Sequence, residues 1–89
     1  MNVSKSLLIG DLSFKYVSSQ QPALGLIVSK YYGNSVLRNL FKRRCRAIFK
    51  TKFINEGVTI ALIVRPNNQN ISFKDMDVAF GGLYEKLCI

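Results

Sequence analysis

Three short segments of this chain have the apolar pattern of β-strands. Apolar and polar side chains alternate over residues 12–18, which would place Phe14 and Tyr16 on the same face of a strand. Residues 24–29 form a nearly continuous apolar run, and residues 58–64 (VTIALIV) are apolar or β-branched throughout. Such runs are typical of interior strands. The pattern therefore predicts a small β-sheet.

Two further segments have the periodicity of helices. Asn34 or Ser35 can cap a helix that runs to about Thr51 and ends before the turn residues 55–57. A capping-box-like start at Ser72 precedes a second helix. The apolar residues on one face of that helix are Met76, Phe80, Leu83 and Leu87. The pair Gly81-Gly82 weakens it by roughly 1 kcal/mol per glycine relative to alanine.

The predicted order of elements is β-β-α-β-α, an α+β fold with a small sheet packed by helices. The 89 residues show no internal repeat or linker. We therefore predict a single domain over residues 1–89. General chirality rules would make the crossover between residues 28 and 64 right-handed.

The first helix carries the net charge of the chain. Eight of the 13 Lys and Arg residues lie between Lys30 and Lys52, where there is no Asp or Glu, and the other five are balanced by all five carboxylates. At 100° per residue, one face of the helix is apolar. It is formed by Leu37, Leu40, Phe41, Cys45 and Ile48. The opposite face is formed by Arg38, Asn39, Lys42, Arg43, Arg46 and Lys50. Arg44 points toward the apolar side, where its stem must snorkel.

Such a one-signed face indicates a polyanionic partner, because like charges at i, i+4 spacing repel each other. A face that only contacts water usually mixes Glu with Lys. Nucleic acid is the favoured partner, ahead of an acidic membrane surface, because the apolar side is needed to seat the helix on the sheet. A polar residue within the face, Asn39, can reach a sugar, base or phosphate, or can be an ordinary exposed residue.

The remaining composition restricts the chemistry of the protein. There is no His, and Cys45 and Cys88 are far apart in sequence, so we predict free thiols in a reducing cytoplasm and no metal bound by the protein alone. Asp75 and Asp77 would point to nearly opposite sides of a helix and could not share a metal. The apolar runs are too short to span a membrane, and the N-terminus lacks the pattern of a secretory signal.

The segment from Val28 to Arg46 closely resembles the motif of the protein subunit of bacterial ribonuclease P. That motif reads V-S-K and then G-N-x-V-x-R-N-R-x-K-R-x-x-R on a helix. The matching residues are Val28, Ser29, Lys30, Gly33, Asn34, Val36, Arg38, Asn39, Lys42, Arg43 and Arg46. The stretch Ile63 to Pro66 is also similar to the family's strand end I-A-R-P, and the resemblance extends over about residues 14–87.

The resemblance implies a cytoplasmic protein that assists a catalytic RNA in removing the 5′ leader from precursor tRNA. It would be the non-catalytic subunit of an endoribonuclease, monomeric outside the ribonucleoprotein, with Mg²⁺ supplied through the RNA and no membrane partner. It also implies a ribosomal-protein-S5-like β-α-β unit with an unusual left-handed crossover. The residues expected to bind the catalytic RNA or the substrate are Lys30, Asn34, Arg38, Asn39, Lys42, Arg43, Arg46 and Lys50.

The family holds the single-stranded leader in a cleft between the basic helix and the sheet. Phe14 and Tyr16 are the candidates for stacking on leader bases, since unpaired bases stack on aromatic rings. The alternative is core packing, which we favour for Phe14. The chain departs from the family at Leu40, which replaces the second Arg of R-N-R, and it is expected to lack most of the N-terminal helix that lines the cleft.

Two other functions remain open at this stage. A general RNA-binding protein, like a ribosomal protein, would bind structured RNA without a role in tRNA 5′ processing. An interaction protein would use the basic face to bind an acidic protein or anionic lipid. The motif from Lys30 to Arg46 weighs against the first function, and Asn39 within the basic side of the helix and the lack of an aromatic membrane edge weigh against the second.

Overall fold

The computed structural model describes residues 5–69 and 71–87. Its strands are β1 (Lys5–Ile9), β2 (Leu12–Ser18), β3 (Ala23–Leu26) and β4 (Ile60–Pro66), and its helices are α1 (Ser35–Phe49) and α2 (Phe73–Leu87). A 3₁₀ turn (Lys30–Tyr32) precedes α1, and a π-helical turn (Lys50–Ile54) follows it. Cys88, and Asn70 of the predicted 65–70 loop, lie outside the described residues.

The small α+β fold is confirmed, with one strand more than the pattern predicted. The additional strand, β1, pairs with β2 in an antiparallel hairpin whose register joins Ile9 to Leu12, so that Gly10 and Asp11 form a two-residue loop. Gly10 has φ of 58°, which glycine adopts at no steric cost. A Gly-Asp pair between two apolar residues is typical of a hairpin turn. The strand prediction above was based on apolar alternation and did not include this pair.

The sheet has the order β1-β2-β4-β3. Strand β4 runs antiparallel to β2 and parallel to β3. The connection from β3 to β4 through α1 is therefore a β-α-β crossover, whose left-handedness stays a prediction. Strand β3 begins one residue before the predicted range 24–29 and ends three residues earlier, and β4 lies two residues after the predicted range 58–64.

Both helices pack on one face of the sheet. The inward side chains of β2 and β4 include Leu12, Phe14, Leu62 and Val64, each at most 1% exposed. Phe80 of α2 meets Phe14 edge to face at 5.2 Å between ring centroids. Alternation along β2 and β4 leaves the other face of the sheet open to solvent.

The ends of the helices follow from local chemistry. Ser72 begins α2 as predicted: its Oγ accepts from the Asp75 backbone N–H at 3.0 Å. At the end of α1 the Asn55 N–H donates to the Lys50 carbonyl oxygen at 2.9 Å, five residues back, which widens the last turn. That turn keeps Phe53 fully buried, with its ring stacked on Phe49 at 5.4 Å.

The glycine pair in α2 lies where two elements approach the helix. A Cβ at Gly82 would come 3.4 Å from Ile9 Cγ2 of β1, and one at Gly81 would come 3.8 Å from Lys52 Nζ. The helix continues through both residues. Its predicted apolar face is confirmed, with Met76, Phe80 and Leu83 fully buried and Leu87 packed against the core.

Candidate nucleic-acid interface

The start of α1 is set by Asn34 and Gly33. The Asn34 Oδ1 accepts from the Leu37 N–H at 2.9 Å, so this side chain caps the helix. A Cβ at Gly33 would come 2.8 Å from Leu37 Cδ1, because the Leu37 side chain folds back over the turn. Asn34, predicted to bind RNA, therefore has a structural role as the helix cap, and the residue is exposed.

Six cations of the Lys30 to Lys52 segment have neither a carboxylate nor an aromatic partner in the described residues. We call this set, together with Asn39, the basic face: Lys30, Arg38, Asn39, Lys42, Arg43, Arg46 and Lys50. Arg38 and Lys42 are half-buried along their stems, and the others are exposed. A shallow hollow of about 500 Å³ in the basic face is lined by Asn39, Lys42, Arg43, Arg46 and the exposed Val36.

The other two cations of the segment are engaged elsewhere. The Arg44 guanidinium lies 5.8 Å from the centroid of the Phe73 ring, a cation–π arrangement on the side of α2. The Lys52 Nζ lies 3.5 Å from Asp77 Oδ1, which is the only ion pair in the part of the chain that the structure describes. The segment therefore has an unpaired basic face and two cations, Arg44 and Lys52, that contact partners within the domain.

The basic face is unfavourable for the helix that carries it. Arg38, Lys42, Arg46 and Lys50 form an i, i+4 row of like charges, and the first turn of α1 has no acidic residue to complement the helix dipole. Helix stability alone would select alternating signs. A row of cations that costs stability and has no internal partner is explained by an external polyanion.

Beside the basic face lies a narrow apolar strip. Phe41, Cys45 and Ile48 are buried as predicted, whereas Leu37 is 41% exposed and Leu40 is half-buried. Leu37, Leu40 and Tyr32 line a small cleft next to Arg44. The residue that replaces an arginine of the family motif thus lies at the rim of the interface and not in the core.

Phe14 and Tyr16, the candidates for stacking on leader bases, lie on the face of β2 that packs against the core. Phe14 is 1% exposed and packs on Phe80, so neither side of its ring is accessible; core packing, the favoured alternative for Phe14, is what the structure has. Tyr16 points to the same side and packs against the core. Strand alternation places both under the helices, because the apolar face of the sheet must be covered.

The opposite face of the sheet carries residues that the sequence analysis missed. Lys15 of β2 pairs in register with Ile63 of β4, and both are exposed. Gly25 of β3 is the other neighbour of Ile63 and has no side chain to cover it. Lys15 and Ile63, together with Leu8, Ile27 and Arg65, line a hollow of about 480 Å³. The alternation in residues 12–18 could have identified Lys15, since it faces away from Phe14 and Tyr16.

Two titratable groups at or near α1, the Cys45 thiol and the Tyr32 hydroxyl, have raised pKa values. Burial raises the pKa of the Cys45 thiol to about 12, although the nearby Arg46 charge opposes this effect. Cys45 is free and fully buried, so its thiol is protonated and inaccessible at neutral pH. Partial burial also raises the pKa of Tyr32, whose ring lies 5.0 Å from that of Phe41.

No three residues of the types His, Cys, Asp and Glu come together as a metal site within residues 5–69 and 71–87. Nor does either described helix combine the length and hydrophobicity needed to cross a bilayer. Among these residues the clustered functional groups are therefore cations, amides and exposed apolar side chains.

Comparisons with known proteins agree with the motif. The family model for Ribonuclease P matches residues 4–88. The ribonuclease P protein component of Finegoldia magna is 32% identical over 66 residues, covering 72% of this chain and 58% of that protein. The component from Phytoplasma australiense is 31% identical over 85 residues, covering 88% of this chain and 74% of that protein. The chain thus spans less than two thirds of the first of these relatives.

Solved structures show the same fold. The RNase P protein of Staphylococcus aureus aligns with a TM-score of 0.76 at 21% identity, over 94% of this chain and 81% of that one. The protein from Thermotoga maritima aligns with a TM-score of 0.74 at 20% identity, over 93% and 83%.

Proposed function

Because this chain belongs to the Ribonuclease P family, we propose that it is the protein component of a ribonuclease P ribonucleoprotein. In this role it assists a catalytic RNA in removing the 5′ leader from precursor tRNA in the cytoplasm. The RNA carries the active site and its Mg²⁺ ions, and the protein binds RNA and positions the substrate. The observation that carries the proposal is the basic face: five unpaired cations and an amide on α1 and the turn that follows it, with Lys30 in the turn before α1.

The basic face supports contact with RNA where two RNA chains converge. Phosphates of the catalytic RNA and of the substrate repel each other, and cations between them reduce that repulsion. We propose that Arg38, Asn39, Lys42, Arg43, Arg46 and Lys50 make these contacts, with Lys30 and Asn34 beside the start of α1. Guanidinium groups suit this task because they bind phosphate through two parallel hydrogen bonds.

The acidic residues support a protein that leaves the chemistry to the RNA. Asp77 is paired with Lys52, and Asp75 lies in the first turn of α2, where it complements the helix dipole. Asp11 lies in the β1–β2 loop and Glu56 in the turn after α1. Glu56 also lines a hollow with Glu85 and Lys52, but no third Asp, Glu, His or Cys joins them as a metal site within residues 5–69 and 71–87.

The open face of the sheet supports a role in holding the leader. Lys15 and Arg65 can contact phosphates, and the exposed Ile63 and Ile27 offer apolar surface to unpaired bases. We propose this face in place of Phe14 and Tyr16, because a base needs an accessible surface on which to stack.

Reconstitution tests the proposed function. The chain is added to its cognate catalytic RNA, and cleavage of precursor tRNA is followed at Mg²⁺ concentrations too low for the RNA alone. We expect the protein to increase the cleavage rate and to weaken the dependence on Mg²⁺. Binding to the RNA without any increase in cleavage would instead support a general RNA-binding protein, and absence of RNA binding would overturn both readings.

A further inference from the structure

The chain departs from the family motif at an apolar position on α1. Leu40 occupies the place of the second arginine of R-N-R, and its side chain is half-buried. Leu37, three residues earlier on the same side of the helix, is 41% exposed. The departure therefore puts apolar surface, and not charge, at the edge of the basic face.

This apolar surface is concave. Leu37 and Leu40 line a cleft of about 210 Å³ between α1 and the start of α2, which we call the Leu40 cleft. Phe41 and Ile71 are almost completely buried and form its floor, whereas Leu37 and Ser72 are exposed at its mouth. Pockets that hold whole small molecules measure roughly 300–1,000 Å³. The Leu40 cleft is smaller, so it suits one protruding group of a larger partner.

The rim of the Leu40 cleft adds polar groups. Arg43 of the basic face lies three residues after Leu40, so the two side chains are neighbours on the helix. On the other side, Arg44 lines the cleft and is held toward the Phe73 ring. The Ser72 Oγ accepts from the Asp75 N–H at 3.0 Å, and its own O–H can still donate. An apolar hollow beside an unpaired cation matches a ring-shaped group that is attached to an anion.

An unstacked nucleotide has this combination. Its base is a flat ring with two largely apolar faces, and the adjacent phosphate is the anion. Proteins recognise RNA mainly at such bases, in loops and bulges, because bases in a duplex are already stacked and paired. An acidic peptide could also combine apolar and anionic groups. RNA is favoured because the basic face, which continues from the cleft along α1, matches the same polyanion.

The position of the Leu40 cleft indicates which RNA supplies the base. Both helices cover one face of the sheet, and the cleft lies between them. The leader is proposed to lie on the opposite, open face, around Lys15 and Ile63. The sheet therefore separates the cleft from the leader, whereas the catalytic RNA on the outer side of α1 can reach it.

We propose that the Leu40 cleft receives one unstacked base of the catalytic RNA, with the adjacent phosphate on Arg43. Leu40 thereby makes the protein specific for an RNA that has an unpaired nucleotide at this point. This inference rests on the proposed function. The departure from the motif then replaces a charged contact by an apolar one, which fits a partner RNA of matching shape.

The test measures affinity for the cognate catalytic RNA, without substrate, at 50 and 200 mM salt. Leu40→Ala should weaken binding about tenfold, at the lower end of what burial of one leucine side chain contributes. The loss should be the same factor at both salt concentrations, because an apolar contact releases no counterions. A variant that merely distorts the basic face would change the salt dependence instead.

Two further substitutions at the same position distinguish shape from charge. Leu40→Met should retain affinity to within about twofold, because it conserves volume and apolar character. Leu40→Arg restores the residue of the motif. It should nevertheless bind more weakly than the wild type at 200 mM salt, where an added cation contributes least, because a guanidinium loses its solvation in an apolar cleft.

Chemical probing of the bases locates the nucleotide. One unpaired base of the catalytic RNA should be protected in the wild-type complex and reactive in the Leu40→Ala complex. An abasic substitution there should weaken wild-type binding about tenfold and have no further effect in Leu40→Ala. Val78→Ala, which truncates an exposed apolar side chain on α2, is the matched control and should bind like the wild type. Thermal melting checks that each variant is folded.

The possible results separate this inference from the proposed function. A wild-type chain that neither binds the catalytic RNA nor stimulates leader cleavage overturns both. Stimulation by the wild type with unchanged RNA affinity in Leu40→Ala overturns the inference alone. So does a Leu40→Arg protein that binds as tightly as the wild type at 200 mM salt. A loss seen only with precursor tRNA, and not with the catalytic RNA alone, would put the leader in the cleft and would also overturn the inference.

Discussion

Removing two cations from the middle of the basic face should weaken RNA binding and stabilise the protein at the same time. The variant is Lys42→Ala with Arg46→Ala. Both residues line the hollow in the basic face, and neither has an ion-pair partner in the described part of the chain. They also belong to the i, i+4 row of like charges that runs from Arg38 to Lys50.

The size of both effects follows from this placement. Each phosphate contact contributes about 0.7 to 0.9 to the slope of log K against log salt, so losing two should flatten the slope by about 1.4 to 1.8. Between 50 and 200 mM salt, the variant should therefore lose about tenfold less affinity than the wild type. The substitutions also remove three repulsive i, i+4 pairs, at about 0.2–0.5 kcal/mol each. Unfolding should become about 1 kcal/mol less favourable, which raises Tm by about 5 °C.

The assay measures affinity for the cognate catalytic RNA across a salt series, together with thermal melting of the protein alone. Arg44→Ala with Lys52→Ala is the matched control, because it removes two cations from the same segment. Those cations lie on other faces, against Phe73 and Asp77. The control should change the salt slope by much less than one unit and should lower Tm slightly, since it loses a cation–π contact and an exposed ion pair.

Equal slopes for the two double variants would refute the reasoning, because total charge and not the basic face would then govern binding. A Lys42→Ala, Arg46→Ala protein that melts below the wild type would refute the claim that the charge row costs stability. Both readings come from the same two proteins, so the trade-off between binding and stability is tested directly.

Three further predictions concern the framework of the site. Asn34→Ala should lower the free energy of unfolding by about 1 kcal/mol in a denaturant titration, because the Leu37 N–H loses its cap; Asn34→Asp should restore it, and equal loss in both would contradict capping. Gly81→Ala should raise stability by about 0.5–1 kcal/mol, since its Cβ meets nothing nearer than Lys52 Nζ at 3.8 Å; a lower Tm would show an unrecognised contact. The pKa of Cys45 is about 12 in the fold against 9.0 as its ordinary value, so the folded state retains the proton as pH rises. Stability should therefore fall by about 1.4 kcal/mol between pH 8 and pH 10 through this group, and Cys45→Ala, titrated in parallel, should lack that part of the slope; identical slopes would contradict it.

Much of the fold could be predicted because the signals are local. The range of β2, the start of α1 at Ser35 and the Ser72 start of α2 all follow from alternation or capping within a few residues. Strand β1 was missed because its five residues carry little periodic signal, and it is held by its pairing with β2 and by Ile9 against α2. Core packing, the favoured alternative for Phe14, needed the structure to be established, because a pattern of alternation does not say which face of a strand will be covered.

The sequence by itself determined the chemistry of the main interface. Most of the charge, the apolar periodicity and the second half of the motif from Val28 to Arg46 lie on α1. On a helix, the positions of residues along the chain fix which of them share a face. Only the tertiary structure decided which surfaces join that helix. Leu40 and Ser72 line one cleft although the rest of α1 and the whole of β4 separate them in sequence, because β3 and β4 are neighbours in the sheet and the loop after β4 is tied back to the turn before α1. Contacts of that kind depend on strand order and long-range hydrogen bonds, which no local pattern encodes.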